Sequence, residues 1–465
     1  MVSLTFYGGV REIGGNKILL QDGDTKVFLD FGMSFSKRAR FFEEFLTPRT
    51  ANGIGDFLSM GLIPDIKGIY REDLLKHAGR PPEDVDVDAV LLSHGHADHT
   101  NYISFLHADI PIYCGETTHK LLLAIDEQAK RDIESEVLNF KKRPLFRCDY
   151  RKPPTERTFK TFNGKFKIGS LEIEPCPVDH SVPGAMAFII HTSAGPIVYT
   201  GDLRLHGTNP QTTHDFIKKA ADAKPVAMIC EGTRIKEVQD KTTEADVYAR
   251  GKNLLSRAKG LAILDFNFKD ADRFRTFHNI AKELGKKMVI SFKHACYLDQ
   301  YATCGLGVPG CDGEDILIFK NKVGTGTYDD GDYTDGYIKC RLKQGNVVRA
   351  DELDGDCMVV MNFWYFNTLI DIRPPRGAVY MHSLSEPFNE EMEISFQRMR
   401  NWLDYFKLEF VQNHCSGHAT GADIAEIVKT VNPKALFPVH TDFPGVFRRF
   451  GVKNKIVKYG KEYKI

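Results

Sequence analysis

Residues 93–100 have the sequence SHGHADHT and follow directly on an apolar segment. Four candidate metal ligands lie within six positions of this stretch: His94, His96, Asp98 and His99. Side chains two residues apart on an extended backbone point the same way, so His94 and His96 can reach one ion. Asp98 and His99 can then turn toward a second ion. Imidazole and carboxylate groups suit zinc, and also manganese or iron, so the stretch predicts a metal site.

Three further candidates lie where predicted strands end: His180, Asp202 and His440. A single histidine at a strand end is more often a hydrogen-bonded structural residue. This chain has three such positions together with residues 93–100, so we expect these residues to be metal ligands instead. A site for two metals needs more than the four ligands of residues 93–100. We therefore predict a dinuclear site.

The order of strands and helices predicts two kinds of domain in this 465-residue chain. The part up to residue 235 is rich in strands, whereas strands and helices alternate from there to about residue 412. Such alternation is typical of a doubly wound, largely parallel sheet. We predict an α/β protein in which a strand-rich domain, residues 1–235 and 413–465, is interrupted by an inserted domain, residues 236–412.

Charge and composition exclude several classes of protein. Lys+Arg and Asp+Glu both number 62, so the formal net charge is zero and a uniformly basic surface is excluded. The N-terminus does not read as a signal peptide, and no apolar run approaches the length of about 20 residues that a membrane span needs. We expect a cytoplasmic protein without membrane contact, whose five cysteines between Cys296 and Cys357 are buried, reduced thiols.

The motifs resemble those of the metallo-β-lactamase superfamily. Asp30, in the segment FLDFG, resembles the first superfamily motif, and residues 94–99 resemble the second. His180 resembles the third motif and Asp202 the fourth. This resemblance implies a four-layered αββα sandwich.

Further motifs resemble the β-CASP branch of that superfamily, which processes nucleic acids. Glu231 resembles motif A of the branch, His418 motif B and His440 motif C. Residues 265–268 and Arg273 resemble the start of the inserted β-CASP domain. The resemblance covers essentially the whole chain and implies a two-metal phosphodiesterase.

The resemblance also implies a role for each candidate residue. The metal ligands would be His94, His96 and His180 for one ion and Asp98, His99 and His440 for the other, with Asp202 bridging. The two ions would be zinc, with manganese as the alternative. Asp30 would orient a ligand histidine. The catalytic residues would be Asp98, Asp202, Glu231 and His418, where Glu231 holds the His418 ring that protonates the leaving oxygen.

The ribonuclease J subgroup is the most similar one. Residues 9–15 and 414–418 resemble its motifs, which implies that His414, Ser416 and Gly417 bind a substrate phosphate. The chain departs from the subgroup at Glu231-Gly232-Thr233, where Asp-Ser-Thr is usual. Because His440 lies 25 residues from the end, we expect a short form without the C-terminal domain.

The implied function is a 5′-3′ exoribonuclease that acts in RNA processing or decay. A β-CASP endoribonuclease or a DNA-processing nuclease is the alternative. A small-molecule metallo-hydrolase needs neither motifs A and B nor such an insertion, and a catalytically dead subunit would not keep every ligand position filled.

Single-stranded RNA is the expected partner, with DNA as the alternative, and the chain could form a homodimer. Ten basic residues against two acidic ones give residues 141–167 a local charge of +8. These basic residues are Lys141, Lys142, Arg143, Arg147, Arg151, Lys152, Arg157, Lys160, Lys165 and Lys167. Aromatic residues lie between them, a pattern that suits single-stranded nucleic acid. A solvated face without a partner is an equal alternative.

Overall fold

The computed structural model describes most of the chain, namely residues 1–129, 132–145, 153–237, 242–386 and 390–465. The described residues of Met1–Leu205, Asn209–Asp240 and Gly417–Ile465 form one compact unit, and those of His206–Thr208 and Lys241–Ser416 form a second. The division into domains 1–235, 236–412 and 413–465 stays a prediction.

The strands of the described chain are β1 (Val2–Phe6), β2 (Lys17–Asp22), β3 (Thr25–Phe31), β4 (Ala89–Leu91), β5 (Ile112–Gly115), β6 (Asn139–Phe140), β7 (Thr155–Glu156), β8 (Phe159–Phe162), β9 (Phe166–Ile168), β10 (Leu171–Pro177), β11 (Met186–Thr192), β12 (Gly195–Tyr199), β13 (Ala227–Cys230), β14 (Ala262–Asp265), β15 (Lys287–Ser291), β16 (Ile316–Phe319), β17 (Val347–Val348), β18 (Cys357–Val360), β19 (Val379–His382), β20 (Glu409–Gln412), β21 (Leu436–Pro438) and β22 (Glu462–Lys464).

The α-helices are α1 (Phe35–Ala39), α2 (Gly55–Ser59), α3 (Glu72–His77), α4 (Ala97–Thr100), α5 (Glu116–Gln128), α6 (Pro210–Asp222), α7 (Glu244–Leu255), α8 (Ala271–Glu283), α9 (Phe292–Ala302), α10 (Gly336–Leu342), α11 (Leu369–Ile372), α12 (Glu390–Phe406) and α13 (Gly421–Val431). The described part of the chain has no helix with both the length and the apolar character that a bilayer crossing needs.

The first unit contains two large sheets. One has the strand order β22-β1-β2-β3-β4-β5-β8, antiparallel up to β3 and parallel from β3 to β8. The other has the order β21-β13-β12-β11-β10-β9, in which β21, β13 and β12 are parallel and the remaining pairs antiparallel. Each sheet therefore ends in a group of parallel strands.

Alternating apolar residues give this unit four layers, because successive strand residues point to opposite faces. One face of each sheet contributes to a shared core that includes Leu4, Leu29, Phe188, Ile190 and Ile229. The opposite faces pack against helices. Residues such as Phe28, Val90, Phe57 and Leu122 form the outer core of the first sheet, and residues such as Val198, Met228, Phe216, Ile424 and Val428 form that of the second. The predicted αββα sandwich is confirmed.

The second unit is built on one fully parallel sheet. Its strand order is β17-β16-β15-β18-β14-β19-β20. Helices α8 and α9 contact β15, whereas α11 and α12 share a core with Ile263, Val359 and Tyr380 through Leu369 and Leu403. The predicted doubly wound, parallel sheet is confirmed.

The five cysteines between Cys296 and Cys357 are all free thiols. Cys296, Cys311 and Cys357 are buried, as predicted, and Cys304 is partly buried. The prediction is wrong for Cys340, which is exposed because α10 presents it to solvent.

Lys17, at the start of β2, is a buried lysine. Its Nζ donates a hydrogen bond to the carbonyl oxygen of Gly15 at 3.0 Å and lies 5.3 Å from the centre of the Tyr102 ring. Burial is the main cause that lowers the pKa of Lys17 to about 7. Between pH 7 and pH 10 the unfolded chain therefore binds a proton that the folded chain does not bind. For this reason the unfolding free energy rises as the pH rises through that window.

We expect Lys17→Met to be more stable than the wild type at pH 7, by a difference that shrinks toward pH 10. One proton changes the unfolding free energy by at most about 1.4 kcal/mol per pH unit. Urea unfolding of both chains between pH 6 and pH 10 measures the difference, and Lys167→Met, at an exposed position, is the control. A difference that stays constant across this range would contradict the assignment.

Candidate active site

The candidate ligands lie where neighbouring strands end. Asp30 is the penultimate residue of β3, and residues 93–99 follow the parallel strand β4. Asp202, Glu231 and His440 follow β12, β13 and β21, which are parallel to one another. Neighbouring parallel strands end at the same edge of a sheet, so both sheets deliver polar side chains to one place.

Two of these residues have a left-handed backbone although neither is glycine. The φ angles are 57° for Asp30 and 53° for His440. Non-glycine residues adopt this conformation at a cost of about 1–3 kcal/mol and are common at functional sites. The N–H of His440 donates to the carbonyl oxygen of Gly9 at 2.9 Å, which stabilises the turn.

Three histidine rings and a carboxylate form the first group of donors. The Nδ1 of His96 lies 3.1 Å from the Nε2 of His94 and 3.2 Å from the Nε2 of His180. Asp202 Oδ2 lies 3.6 Å from the Nε2 of His94. These four residues offer donor atoms that all lie within 4.8 Å of one another.

Asp98, His99 and His440 form the second group. The Nε2 of His440 is 3.0 Å from Asp98 Oδ2, and the Nε2 of His99 is 3.2 Å from Asp202 Oδ2. Asp202 therefore contacts both groups. The structure brings all seven predicted ligands together.

Asp202 is a buried carboxylate that lacks part of its hydrogen bonding. Within the described residues, its Oδ1 has no hydrogen-bond partner. An ionised carboxylate is costly to bury unless positive charge or donors surround it. The orphaned oxygen and the imidazole and carboxylate donors around it fit a divalent metal, so this cluster could hold metal ions.

The Nδ1 atoms of several ligand rings have partners outside the two donor groups, whereas the Nδ1 of His96 faces His94 and His180. The Nδ1 atoms of His94 and His99 lie 2.9 Å from Ser93 Oγ and 2.7 Å from Asp30 Oδ2. The Nδ1 of His180 lies 2.6 Å from the carbonyl oxygen of Gly417. Such partners orient ligand rings and set their tautomer, which leaves the Nε2 atoms of His94, His99 and His180 facing the other donors. Asp30 contacts the His99 ring, and its orienting role stays a prediction.

Charges within the cluster determine the protonation of its groups. Burial lowers the pKa values of His94 and His180 well below 6.5, and neighbouring imidazoles add to the effect. Burial would raise the pKa of Asp202, but His440 and His99 lower it well below its usual range. Two neutral imidazoles and an ionised carboxylate are the forms that bind metals.

His99 and His440 behave differently. Burial alone would lower their pKa values, but the carboxylates of Asp202 and Asp98 raise both. A metal must therefore displace protons from these rings, and its binding weakens as the pH falls.

His418 and Glu231 form a pair beside the donors. The Nδ1 of His418 lies 3.1 Å from Glu231 Oε2 and 3.9 Å from Asp202 Oδ2. Burial alone would lower the pKa of His418, but the charge and hydrogen bond of Glu231 raise it to about 9. Glu231 also accepts hydrogen bonds from the N–H of Leu203 and the hydroxyl of Thr233, so its carboxylate is fully engaged.

A glycine-rich loop between β1 and β2 supports the second group of donors. The N–H of Asn16 donates to the carbonyl oxygen of Asp98 at 3.1 Å. A Cβ on Gly14 would lie 2.7 Å from Asp98 Oδ2, so the loop can approach this closely only with glycine there. Sequence reasoning found this loop only as a family motif. Four glycines within residues 8–15 were the available signal of close backbone approach.

The predicted phosphate-binding residues are divided between the two units. Gly417 belongs to the first unit, where its carbonyl oxygen contacts His180. His414 and Ser416 belong to the second. Burial and the guanidinium of Arg273 lower the pKa of His414 to about 4, so the ring is neutral. Its Nδ1 lies 3.0 Å from the carbonyl oxygen of Ser383.

Within its described residues, the basic segment 141–167 does not present all of its charges to solvent. Arg157 is buried, and its guanidinium donates to the carbonyl oxygens of Leu106 at 2.6 Å and Ser104 at 2.8 Å. Lys165 forms an ion pair with Glu174 at 2.8 Å. The local charge of +8 therefore overstates what the surface presents. Three predicted contributors lie outside the described residues, namely Arg147, Arg151 and Lys152.

Two family models match this chain. The one described as Beta-lactamase superfamily domain matches residues 63–216, which include the strand-end donors from His94 to Asp202. The chain contains a β-lactamase superfamily domain. The model described as Zn-dependent metallo-hydrolase RNA specificity domain matches residues 406–445, which include His418 and His440.

Proteins named ribonuclease J are similar to the chain over almost its whole length. The one from Pyrococcus abyssi is 23% identical over 464 residues, with 95% of this chain and 90% of that protein covered. The one from Methanocaldococcus jannaschii is 24% identical, with 94% and 90% covered. The crystal structure of a protein of unknown function from Enterococcus faecalis V583 is 23% identical, covers 99% of both chains and has a TM-score of 0.74, which shows the same fold. The resemblance predicted from the motifs is confirmed.

We expect Asp202→Asn to weaken zinc binding at least about 10-fold, because the amide removes the negative charge that both groups of donors share. Titration of the metal-free chain with zinc, in competition with a chromophoric chelator, measures the affinity. Glu172→Gln, on β10 of the same sheet, is the control and should bind as the wild type does. Unchanged affinity in Asp202→Asn would exclude Asp202 as a ligand.

Proposed function

We propose that this chain is a two-metal ribonuclease of the ribonuclease J type, which releases nucleotides from the 5′ end of single-stranded RNA. The observation that carries this proposal is the adjacency of two donor groups, joined at Asp202, and the Glu231–His418 pair. The match of residues 406–445 to an RNA specificity domain and the similarity to proteins named ribonuclease J support RNA as the substrate.

The proposed ligands follow the two donor groups. His94, His96 and His180 would bind one metal and Asp98, His99 and His440 the other, with Asp202 between them. Two divalent metals bound there would activate a water molecule and offset the negative charge that develops on phosphorus. Zinc is the proposed metal because imidazole predominates among the donors, and manganese is the alternative.

His418 is the proposed general acid. Glu231 contacts the Nδ1 of its ring, and Nε2 is the proposed atom that reaches the leaving oxygen. A carboxylate partner favours the protonated ring, which can donate its proton to the leaving oxygen of the phosphodiester. His418 lies in a third donor group with Glu231 and Asp202, and we assign it to proton donation rather than to metal binding because Glu231 contacts its Nδ1.

We also propose that hydrolysis proceeds from the 5′ end. His414, Ser416 and Gly417 would bind the phosphate next to the cleaved bond and so favour a 5′-monophosphate end. The proposed substrate is RNA rather than DNA. A homodimer and a cytoplasmic location are also proposed.

We expect His418→Ala to reduce turnover by about 10²–10⁴-fold, since general acid catalysis contributes about that much, while zinc content stays the same. Hydrolysis of end-labelled RNA gives the turnover, and elemental analysis of the dialysed protein gives the zinc content. A parallel loss of zinc and activity would contradict the separation of the acid from the ligands.

We expect 5′-monophosphate RNA to be degraded to mononucleotides from its 5′ end, and faster than 5′-hydroxyl RNA of the same sequence. Wild-type protein loaded with zinc or manganese is incubated with 3′-labelled RNA of each kind and with the matching single-stranded DNA. Discrete internal fragments at equal rates would indicate an endonuclease instead, and preferential hydrolysis of the DNA would indicate a DNA-processing enzyme.

A further inference from the structure

Two hydroxyl groups connect buried carboxylates to ligand rings in the same way. The Ser93 hydroxyl donates to Asp30 Oδ2 at 2.7 Å and lies 2.9 Å from the Nδ1 of His94. The Thr233 hydroxyl donates to Glu231 Oε2 at 2.7 Å and lies 2.9 Å from the Nδ1 of His440. Each carboxylate therefore contacts one histidine directly and a second one through a hydroxyl.

The direction of these hydrogen bonds follows from the number of protons. A hydroxyl has one proton, and an ionised carboxylate can only accept. Once the Thr233 hydroxyl donates to Glu231, its oxygen can only accept from His440. His440 must then carry a proton on Nδ1, so that Nε2, which faces Asp98 and Asp202, is the nitrogen available for a metal.

The loop that contains Thr233 is placed tightly against the turn that contains His440. A Cβ on Gly232 would lie 2.7 Å from ring atoms of Phe447 and 3.2 Å from the Cβ of Thr441. Glycine at this position therefore allows the loop to pack closely, and the N–H of Thr233 also donates to Glu231 at 3.2 Å. The backbone of Thr233 is therefore held where its hydroxyl reaches both Glu231 and His440.

We propose that Ser93 and Thr233 are positioning residues, each of which sets the tautomer of a metal-ligating histidine because a buried carboxylate takes its only proton. Glu231 thereby controls two rings, the His418 ring directly and the His440 ring through Thr233. The proposal rests on the ligand set of the proposed function and adds that the carboxylate beside the general acid also prepares a metal ligand.

Thr233→Val tests this role, because valine has the same shape but lacks the hydroxyl. We expect one of the two zinc equivalents to bind about 10–100-fold more weakly and the other to bind unchanged. Thr233→Ser should bind zinc as the wild type does. Thr192→Val, which removes a hydroxyl that donates to the carbonyl oxygen of Gly195 between β11 and β12, is the matched control. The measurement is the chelator-competition titration of the full-length, metal-free chain with zinc.

Glu231→Gln is a second test that leaves Thr233 and His440 in place. The N–H of Leu203 keeps the glutamine oxygen at the place of Oε1, so the amide NH2 faces the Thr233 oxygen and donates to it. The hydroxyl proton then turns toward His440, and the ring adopts the wrong tautomer. We expect the same zinc equivalent to weaken, and the double variant Glu231→Gln/Thr233→Val to lose no more than either single one. Additive losses, or failure of Thr233→Ser to restore binding, would overturn the proposal.

The outcomes separate this inference from the proposed function. A wild-type chain that binds fewer than two zinc ions would contradict the ligand set itself. A wild-type chain that binds two, with Thr233→Val unchanged, would overturn only the positioning role. Ser93→Ala should weaken the other equivalent, and Ser93→Ala/Thr233→Val should weaken both.

Discussion

The site depends on one buried carboxylate. Asp202 Oδ2 lies between 3.2 and 3.9 Å from a ring nitrogen of each of five histidines: His94, His99, His180, His418 and His440. A charge removed from water in this way is stable only if positive charge or donors surround it. The five histidine rings surround the Asp202 carboxylate with donors. A pair of divalent metals would supply the positive charge that it needs.

The sandwich places the donors around Asp202 through the ends of its strands. Both sheets end in parallel strands, so their carboxyl ends supply donors from opposite sides of the same edge. The apolar core between the sheets stabilises the strands, and two residues of the site, Asp30 and His440, have left-handed backbones. Stability and reactivity are thus carried by different residues of the same strands.

Much of this organisation could be predicted from the sequence. The change from a strand-rich part to alternating strands and helices predicted both kinds of sheet, since hydrophobic periodicity follows local structure. The spacing in residues 93–100 predicted the first ligands. Residues whose role depends on distant neighbours could not be predicted. Arg157 is part of a basic run in the sequence, but in the fold its guanidinium is buried against the carbonyl oxygens of Ser104 and Leu106.

The sequence by itself determined the chemistry of this protein, because the types and spacing of the donors restrict what they can bind. It also determined the layers, because apolar residues alternate along the strands. Only the tertiary structure decided which carboxylate sets the tautomer of which histidine. Ser93 and Thr233 are ordinary hydroxyl residues in the sequence, and they become acceptors for His94 and His440 only where the fold places Asp30 and Glu231 beside them. Whether a hydroxyl donates to or accepts from one partner depends on its other partners. The fold brings these partners together from distant parts of the chain.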